Sequence, residues 1–480
     1  MDKFPTVYSH QTVRECMVVI DEHAKRISFI LKNGILVGVV TDGDIRRALL
    51  NDTKLDEPID SIMNEDFVSF QVGTDSKIIR EKFSKRVRYI PLVDGNGCLV
   101  DIADPRGNFR ISVLEPSMKG NELNYVSECI KTNWISSQGK FVNEFEKVFE
   151  DFHPQTNALA VSNGTVALHL ALISLGVGSG DEVIVPNLTF AASANAVIHA
   201  GAKPVFCEVD PETWCIDPSE VEKLISPRTK AIMPVHLYGH PCEMDALRSI
   251  CDKSKLLIIE DSAEALGSEW KGQKVGTFGD AATFSFFGNK TITTGEGGMI
   301  LFQDSKIAQR ARVMRDHGMS NNRRYWHDFV GYNYRLTNIQ AAIGVAQMEK
   351  FQKILEKKIK ISRIYDSNLE DTDGIVKIPC KPKSSLHSNW LYGIILDKKI
   401  NRENISIELL ALGIETRPFF YPLHTMPPYN NYKKSDSLSN SIGLARQGLS
   451  LPTSVDLTDD ELQSISQSVK EVLKNNFEKA

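Results

Sequence analysis

From about residue 111 to the end of the chain, short aliphatic runs alternate with longer stretches in which apolar residues return every three or four positions. That alternation predicts an α/β sandwich, strands and helices in turn around a mostly parallel sheet. The strand candidates are 182–185, 231–235, 256–259, 283–286 and 299–302. Over 337–351, Ile339, Ala342, Ile343 and Ala346 recur at helical spacing behind Thr337, a suitable N-cap, which predicts a core helix. After Asp373 the segments shorten and Pro and Ser become frequent, as expected of a smaller C-terminal α/β subdomain ending in a helix over 459–475.

Before about residue 112 the pattern is different and repeats itself. Asn33-Gly34-Ile35-Leu36-Val37-Gly38-Val39 lines up with Asn96-Gly97-Cys98-Leu99-Val100-Asp101-Ile102, 63 positions on. In each copy an aliphatic strand (27–31 and 89–93) meets an Asn-Gly turn and a second strand, which predicts two hairpins in two similar halves.

Composition narrows the class. The 480 residues are 42% hydrophobic, 24% charged and 8% aromatic, which excludes a disordered chain, collagen and a disulfide scaffold, and the length predicts more than one domain. A formal charge of −5, evenly mixed, gives no ground for nucleic-acid or anionic-membrane binding. The first sixteen residues lack the apolar core of a signal peptide and no aliphatic run spans a bilayer, so a cytoplasmic protein is expected. Eight cysteines form no C-x-x-C pair or His-flanked cluster, so packed, reduced thiols are expected, with no metal site.

Three segments carry chemistry. In FSFFGNKTITTGEGG (284–298) a strand runs into a glycine-rich loop holding one lysine, Lys290. A partly desolvated amine so placed attacks an aldehyde carbon, while Ser285 lies near enough to reach a phosphate. The plain alternative is a solvated loop lysine. In VSNGTVALHLAL (161–172) a strand, a tight turn and a helix place Gly164 and Thr165 where backbone amides meet an anion. An ordinary strand-to-helix turn reads the same way. In LLIIEDSAEAL (256–266) a buried strand ends on Glu260 and Asp261, at the carboxyl edge where such sheets bind ligands. Asp261 or Ser262 is equally placed to cap a helix.

Two resemblances follow from these residues. GVVTDGDIRRALL (38–50) is similar to the CBS module, here as a tandem pair over 1–110. That resemblance implies a purine nucleotide facing Thr41 and Asp44 in the first copy. The second copy has Asp104 and Gly107 at those places, and Arg106-Gly107-Asn108-Phe109 reads as the linker. A CBS pair used only for packing is the competing reading.

From residue 111 on, the segments above, with WISSQGKF, VHLYGHP, YWHDFVGYNYRLTN and ETRPFFYPLHTMPPY, resemble the DegT-type nucleotide-sugar aminotransferases, fold-type-I enzymes using pyridoxal 5'-phosphate (PLP). The resemblance implies a large cofactor domain over 111–372, a small one over 373–480, and a homodimer or higher homo-oligomer. It also assigns roles: Lys290 forms the imine and shuttles protons, and Asp261 pairs with the pyridine nitrogen. Gly164, Thr165 and Ser285 hold phosphate, joined by Asn333 from a neighbouring subunit. Phe190 stacks on the cofactor, and Glu264 stands where many relatives place Gln near the phenolic oxygen. Lysine rather than histidine at 290 implies amino transfer, with the cofactor alternating between PLP and its pyridoxamine form. Within the family the similarity is greatest to enzymes that pass the amino group of L-glutamate to carbon 4 of GDP-4-keto-6-deoxymannose. Arg335, Arg417 and His424 are candidates for the substrate's diphosphate. A UDP-linked keto-sugar, or a CBS nucleotide sensor on a non-catalytic scaffold, are the alternatives.

Overall fold

The computed structural model describes residues 4–23, 25–74, 76–80, 82–84, 87–104, 110–320 and 322–477. It divides into two units, Met1–Ile111 with Ile407–Glu415, and Ser112–Ser406 with Thr416–Ala480. Arg106, Gly107, Asn108 and Phe109, expected as a linker, lie outside the described residues.

In the first unit the strands Ile27–Lys32 and Ile35–Thr41 form the expected hairpin. Asn33 and Gly34 both take positive φ, 52° and 81°, the two-residue turn whose twist suits the strands and which Asn-Gly adopts at least cost. The second copy turns differently. Between Ile90–Val93 and Leu99–Ala103 the Asp94 carboxylate accepts from the amides of Asn96 and Cys98, both at 2.9 Å, so the turn is longer and Gly97 rather than Asn96 has positive φ. Each hairpin gains one short parallel strand, Thr6–Tyr8 in the first and Phe70–Gln71 in the second. The two-copy pattern is therefore real, although the turns within it differ.

The second unit is built on seven strands: β1 (Asn157–Val161), β2 (Glu182–Pro186), β3 (Lys203–Cys207), β4 (Thr229–Ile232), β5 (Leu257–Asp261), β6 (Ala281–Ser285) and β7 (Gly298–Phe302). Their spatial order is β1-β7-β6-β5-β4-β2-β3, parallel except that β7 runs against both neighbours. The predicted strands all appear, with ends that coincide or shift by up to three residues. Buried aliphatic runs on both faces, such as Val183, Ile184 and Val185, mark a sheet covered by helices on each side.

The outer edge of β1 would expose unpaired backbone groups. Charged side chains meet them instead. Ala158 and Ala160 donate to Glu150 (3.2 Å) and Glu146 (2.9 Å), and their carbonyls accept from Arg312 (3.1 Å) and Arg315 (2.7 Å). Glu146 also pairs with both arginines, which ties the helices Lys140–Phe152 and Ser305–Arg315 to the sheet.

Thr337 caps the helix Asn338–Glu349 with a full capping box completed by Gln340. Its buried residues include Asn338, Ala341, Ala342, Val345 and Ala346, whereas Ile339 and Ile343 sit half-buried. The strands Ile375–Lys377, Tyr392–Leu396, Gly448–Leu451 and Arg417–Pro418 form a separate antiparallel sheet in that order, and the chain ends in the helix Asp459–Phe477. All eight cysteines are free, six of them buried. No helix among the described residues is long and apolar enough to cross a membrane.

Candidate active site

A cavity of about 660 Å³ opens beyond the carboxyl ends of the parallel strands, where the fold leaves room for a ligand. Strand alternation at the end of β5 sends Glu260 and Asp261 to opposite faces. Glu260, fully buried, accepts from the amides of Gly276 (2.7 Å), Phe278 (2.8 Å) and Gly279 (2.7 Å) and meets His236 Nε2 at 3.1 Å. It is committed to folding that loop. Asp261 lines the cavity instead. No helix begins there: the chain continues in turns through Ala265 and Ser268, so the capping alternative for Asp261 and Ser262 falls.

Asp261 Oδ2 accepts from Ser193 Oγ (2.8 Å) and Oδ1 from the Ala263 amide (3.2 Å). Burial nonetheless pushes its carboxyl above the ordinary range, against the opposing pull of these donors and of the Lys290 charge. A cationic group against it would offset that cost.

Lys290 rides on the loop between β6 and β7. The loop is closed by Phe286 N to Gly297 O (2.8 Å) and by Lys290 N to Phe287 O (2.9 Å). The amine lies 3.3 Å from Glu264 Oε1 and 3.8 Å from the centre of the Trp390 ring. Its side chain is 14% exposed, so the solvated-loop alternative does not hold. Glu264 Oε2 accepts from the Tyr238 amide (2.9 Å), and burial raises its carboxyl while Lys290 and that amide oppose the rise. Tyr238 itself has φ of 54°, an uncommon conformation for an aromatic residue. Stacking on Phe420 (5.5 Å, 25°) and Trp390 (6.2 Å, 27°) holds it there.

The helix Gly164–Ser174 (α1) is apolar around most of its circumference and largely buried, and its N-terminal end reaches the cavity through Gly164, Thr165, Val166 and Leu168. Asn163 caps it by accepting from Val166 N (3.0 Å). The amides of Gly164 and Thr165 have no partner within the helix and stand beside the hydroxyls of Thr165 and Ser285, a ready anion site. Residue 164 must be glycine: a Cβ there would fall 2.8 Å from Ser285 Cβ. This set fits PLP, since Gly164, Thr165 and Ser285 could hold a phosphate, Asp261 a protonated ring nitrogen, and Lys290 an aldehyde carbon.

Of the remaining candidates, Phe190 and Arg417 also line the cavity. Asn333, Arg335 and His424 do not. Arg335 donates to Asn333 Oδ1 (3.2 Å) and Asp316 Oδ1 (2.8 Å), and His424 Nδ1 is 3.0 Å from Asn187 Oδ1. Four residues of the site escaped the sequence reading: Ser193, Tyr238, Trp390 and Phe420. Tyr238 and Phe420 lie inside motifs quoted for the resemblance, whereas nothing local marks Trp390.

In the first unit Thr41 and Asp44 border a cavity of about 710 Å³ together with Lys25, Arg26, Arg88 and Tyr89. They also cap the helix Asp42–Leu50: Thr41 Oγ1 donates to Asp44 Oδ2 (2.6 Å), and Arg47 pairs with the same carboxylate. Asp104 is not among the lining residues, and Gly107 lies outside the described ones.

The CBS domain profile matches residues 1–51. The chain is 47% identical over 367 residues to the GDP-perosamine synthase of Caulobacter vibrioides, covering 76% of this chain and 98% of that protein. It superimposes on S. venezuelae DesV, solved in complex with a ketimine intermediate, at TM-score 0.70 and 33% identity, over 74% of this chain and 94% of that one. The PLP form of Spr1654 from Streptococcus pneumoniae matches at TM-score 0.71 and 27% identity, over 76% and 99%. The profile of the DegT/DnrJ/EryC1/StrS aminotransferases covers residues 116–470, and the chain belongs to that family.

Proposed function

We propose that this chain carries PLP and transfers the amino group of L-glutamate to carbon 4 of GDP-4-keto-6-deoxymannose, giving GDP-perosamine and 2-oxoglutarate. The observation that carries the reading is the meeting of Lys290, Asp261 and the α1 anion site in one cavity. Relatives at 44–47% identity that are named GDP-perosamine synthases support the choice of sugar and nucleotide.

When bound, the cofactor supplies a conjugated ring that accepts the electron pair left as a C–H bond breaks. Asp261 holds the proton on the ring nitrogen that makes the ring an electron sink. Lys290 Nζ removes the proton from the amino-acid carbon and delivers one to the sugar carbon, so a single amine serves both substrates. Glu264, 3.3 Å away, faces that amine when it carries the proton. Phe190 offers an aromatic face, and Arg417 a guanidinium for the diphosphate.

Asn333, outside its own chain's cavity, is assigned to the phosphate of a second subunit's site in a homodimer, and Arg335, bonded to it, remains a candidate for the diphosphate. The large and small aminotransferase portions are 111–372 and 373–480, and 1–110 is a regulatory module binding a purine nucleotide at Thr41 and Asp44. Calorimetry with AMP, ATP, GDP and GTP checks that last assignment: heat is expected with at least one, reduced by Asp44→Ala, and silence with all four removes it.

The substrate test offers the GDP- and UDP-linked keto-sugars in turn with L-glutamate. Product from the GDP compound is expected. Product from the UDP compound alone would overturn the choice of nucleotide. A cofactor absorbance band that glutamate bleaches supports the enzyme, and no band after reconstitution with PLP supports a CBS sensor on an inactive scaffold.

A further inference from the structure

Lys358 is a lysine with almost no access to water, 2% exposed on the helix Phe351–Leu369. Its Nζ donates to the carbonyls of Trp390 (3.0 Å) and Thr453 (2.8 Å) and to the Thr453 hydroxyl (3.2 Å). None of these partners is a carboxylate, and burial pushes the amine down to about 7. A buried amine surrounded by neutral acceptors is costly, and an apolar side chain of similar length would fill the space without that cost. Its use must lie in what it holds.

What it holds is Trp390. Thr453 Oγ1 donates to the same Trp390 carbonyl (2.9 Å), so two donors fix that peptide. At the other end of the residue the indole Nε1 donates to Asn289 O (2.6 Å), the peptide oxygen directly before Lys290. Fastened at both ends and 4% exposed, the ring lies 3.8 Å from the Lys290 amine. Glu264 Oε1 is also within reach of that amine, at 3.3 Å. An aromatic face at this distance attracts the amine and covers one approach to it.

We propose that Lys358 and Thr453 are positioning residues that hold the Trp390 indole against the Lys290 amine, and that this contact governs how open the amine is to an incoming carbonyl carbon. The contact is a property of the chain without cofactor. Only its consequence for turnover rests on the aminotransferase reading.

The cofactor-free protein therefore supplies the test. Formaldehyde with cyanoborohydride methylates accessible lysines, and mass spectrometry compares Lys290 with exposed Lys203 in the same sample. Trp390→Leu is expected to raise the relative labelling of Lys290 about tenfold, within the range for losing such a ring. Trp390→Phe, which keeps an aromatic face but loses the Nε1 bond to Asn289, should fall between the parent and Trp390→Leu. Thr453→Val and Lys358→Met should shift labelling in the same direction by a smaller factor, and Thr453→Val carries that arm if Lys358→Met does not fold. Parent-like labelling in both Trp390→Leu and Thr453→Val overturns the proposal. In the loaded enzyme the same variants should lower kcat with the KM for the keto-sugar unchanged. Were the parent to turn over no keto-sugar while the labelling order held, the aminotransferase reading would fall and the positioning role would stand.

Discussion

Lys290→Ala is expected to end glutamate-dependent amino transfer, with a loss of about 10⁴-fold, the upper range for one positioned acid–base group. The size follows from the cavity's inventory. Among its lining residues Lys290 is the one amine, and the other basic side chain, Arg417, is a guanidinium. No neighbouring amine can therefore take over. The charge balance changes as well, because Glu264, already raised by burial, loses the cation that opposes the rise. Turnover of purified variant and parent on the GDP-linked keto-sugar measures the effect, and an added small primary amine should restore part of it. A variant that turns over like the parent without added amine would remove Lys290 from the chemistry.

Asp261→Asn is expected to lower turnover by about 10²–10³-fold, the range for removing one preorganised electrostatic partner, and to make the cofactor-free protein more stable. The two effects share a cause. An amide cannot hold a proton on a ring nitrogen, so the electron sink weakens. In the empty site, however, the carboxyl is pushed above its unfolded value by burial. Between those two values the folded chain binds more protons than the unfolded one, so stability falls as pH rises through that window and remains reduced at neutral pH. Asparagine does not pay this penalty, and its side-chain oxygen can still accept from Ser193. Thermal melts of the cofactor-free proteins should place the variant above the parent at pH 7, with the gap closing as pH falls toward the unfolded carboxyl's range. A variant melting below the parent at pH 7 would contradict the burial argument.

Much of the site was legible in the sequence because its signals are local. A glycine-rich loop with one lysine, a strand-turn-helix with Gly164, and an acidic pair ending an aliphatic strand each arise from a few adjacent residues. The Thr337 cap and the Asn33-Gly34 turn were readable for the same reason. The acidic pair also shows the limit. Both carboxylates end one strand, and which of them serves folding and which faces the ligand depends on the strand's orientation in the sheet. Asn96-Gly97 shows it too, since Asp94 diverts a turn that the dipeptide alone would have made tight.

The sequence by itself determined the succession of strands and helices, the repeated N-terminal hairpins and the lysine we propose as the reactive amine, because periodicity, turn chemistry and motif spacing act over a few residues. Only the tertiary structure decided what surrounds that amine. Trp390 reaches it across 100 positions of chain, and Lys358 on a helix and Thr453 on a loop both bond the Trp390 carbonyl. It also separated Arg417, inside the cavity, from Asn333, Arg335 and His424, outside it. Such contacts are set by how the sheets and helices pack against one another, which no short stretch of sequence records.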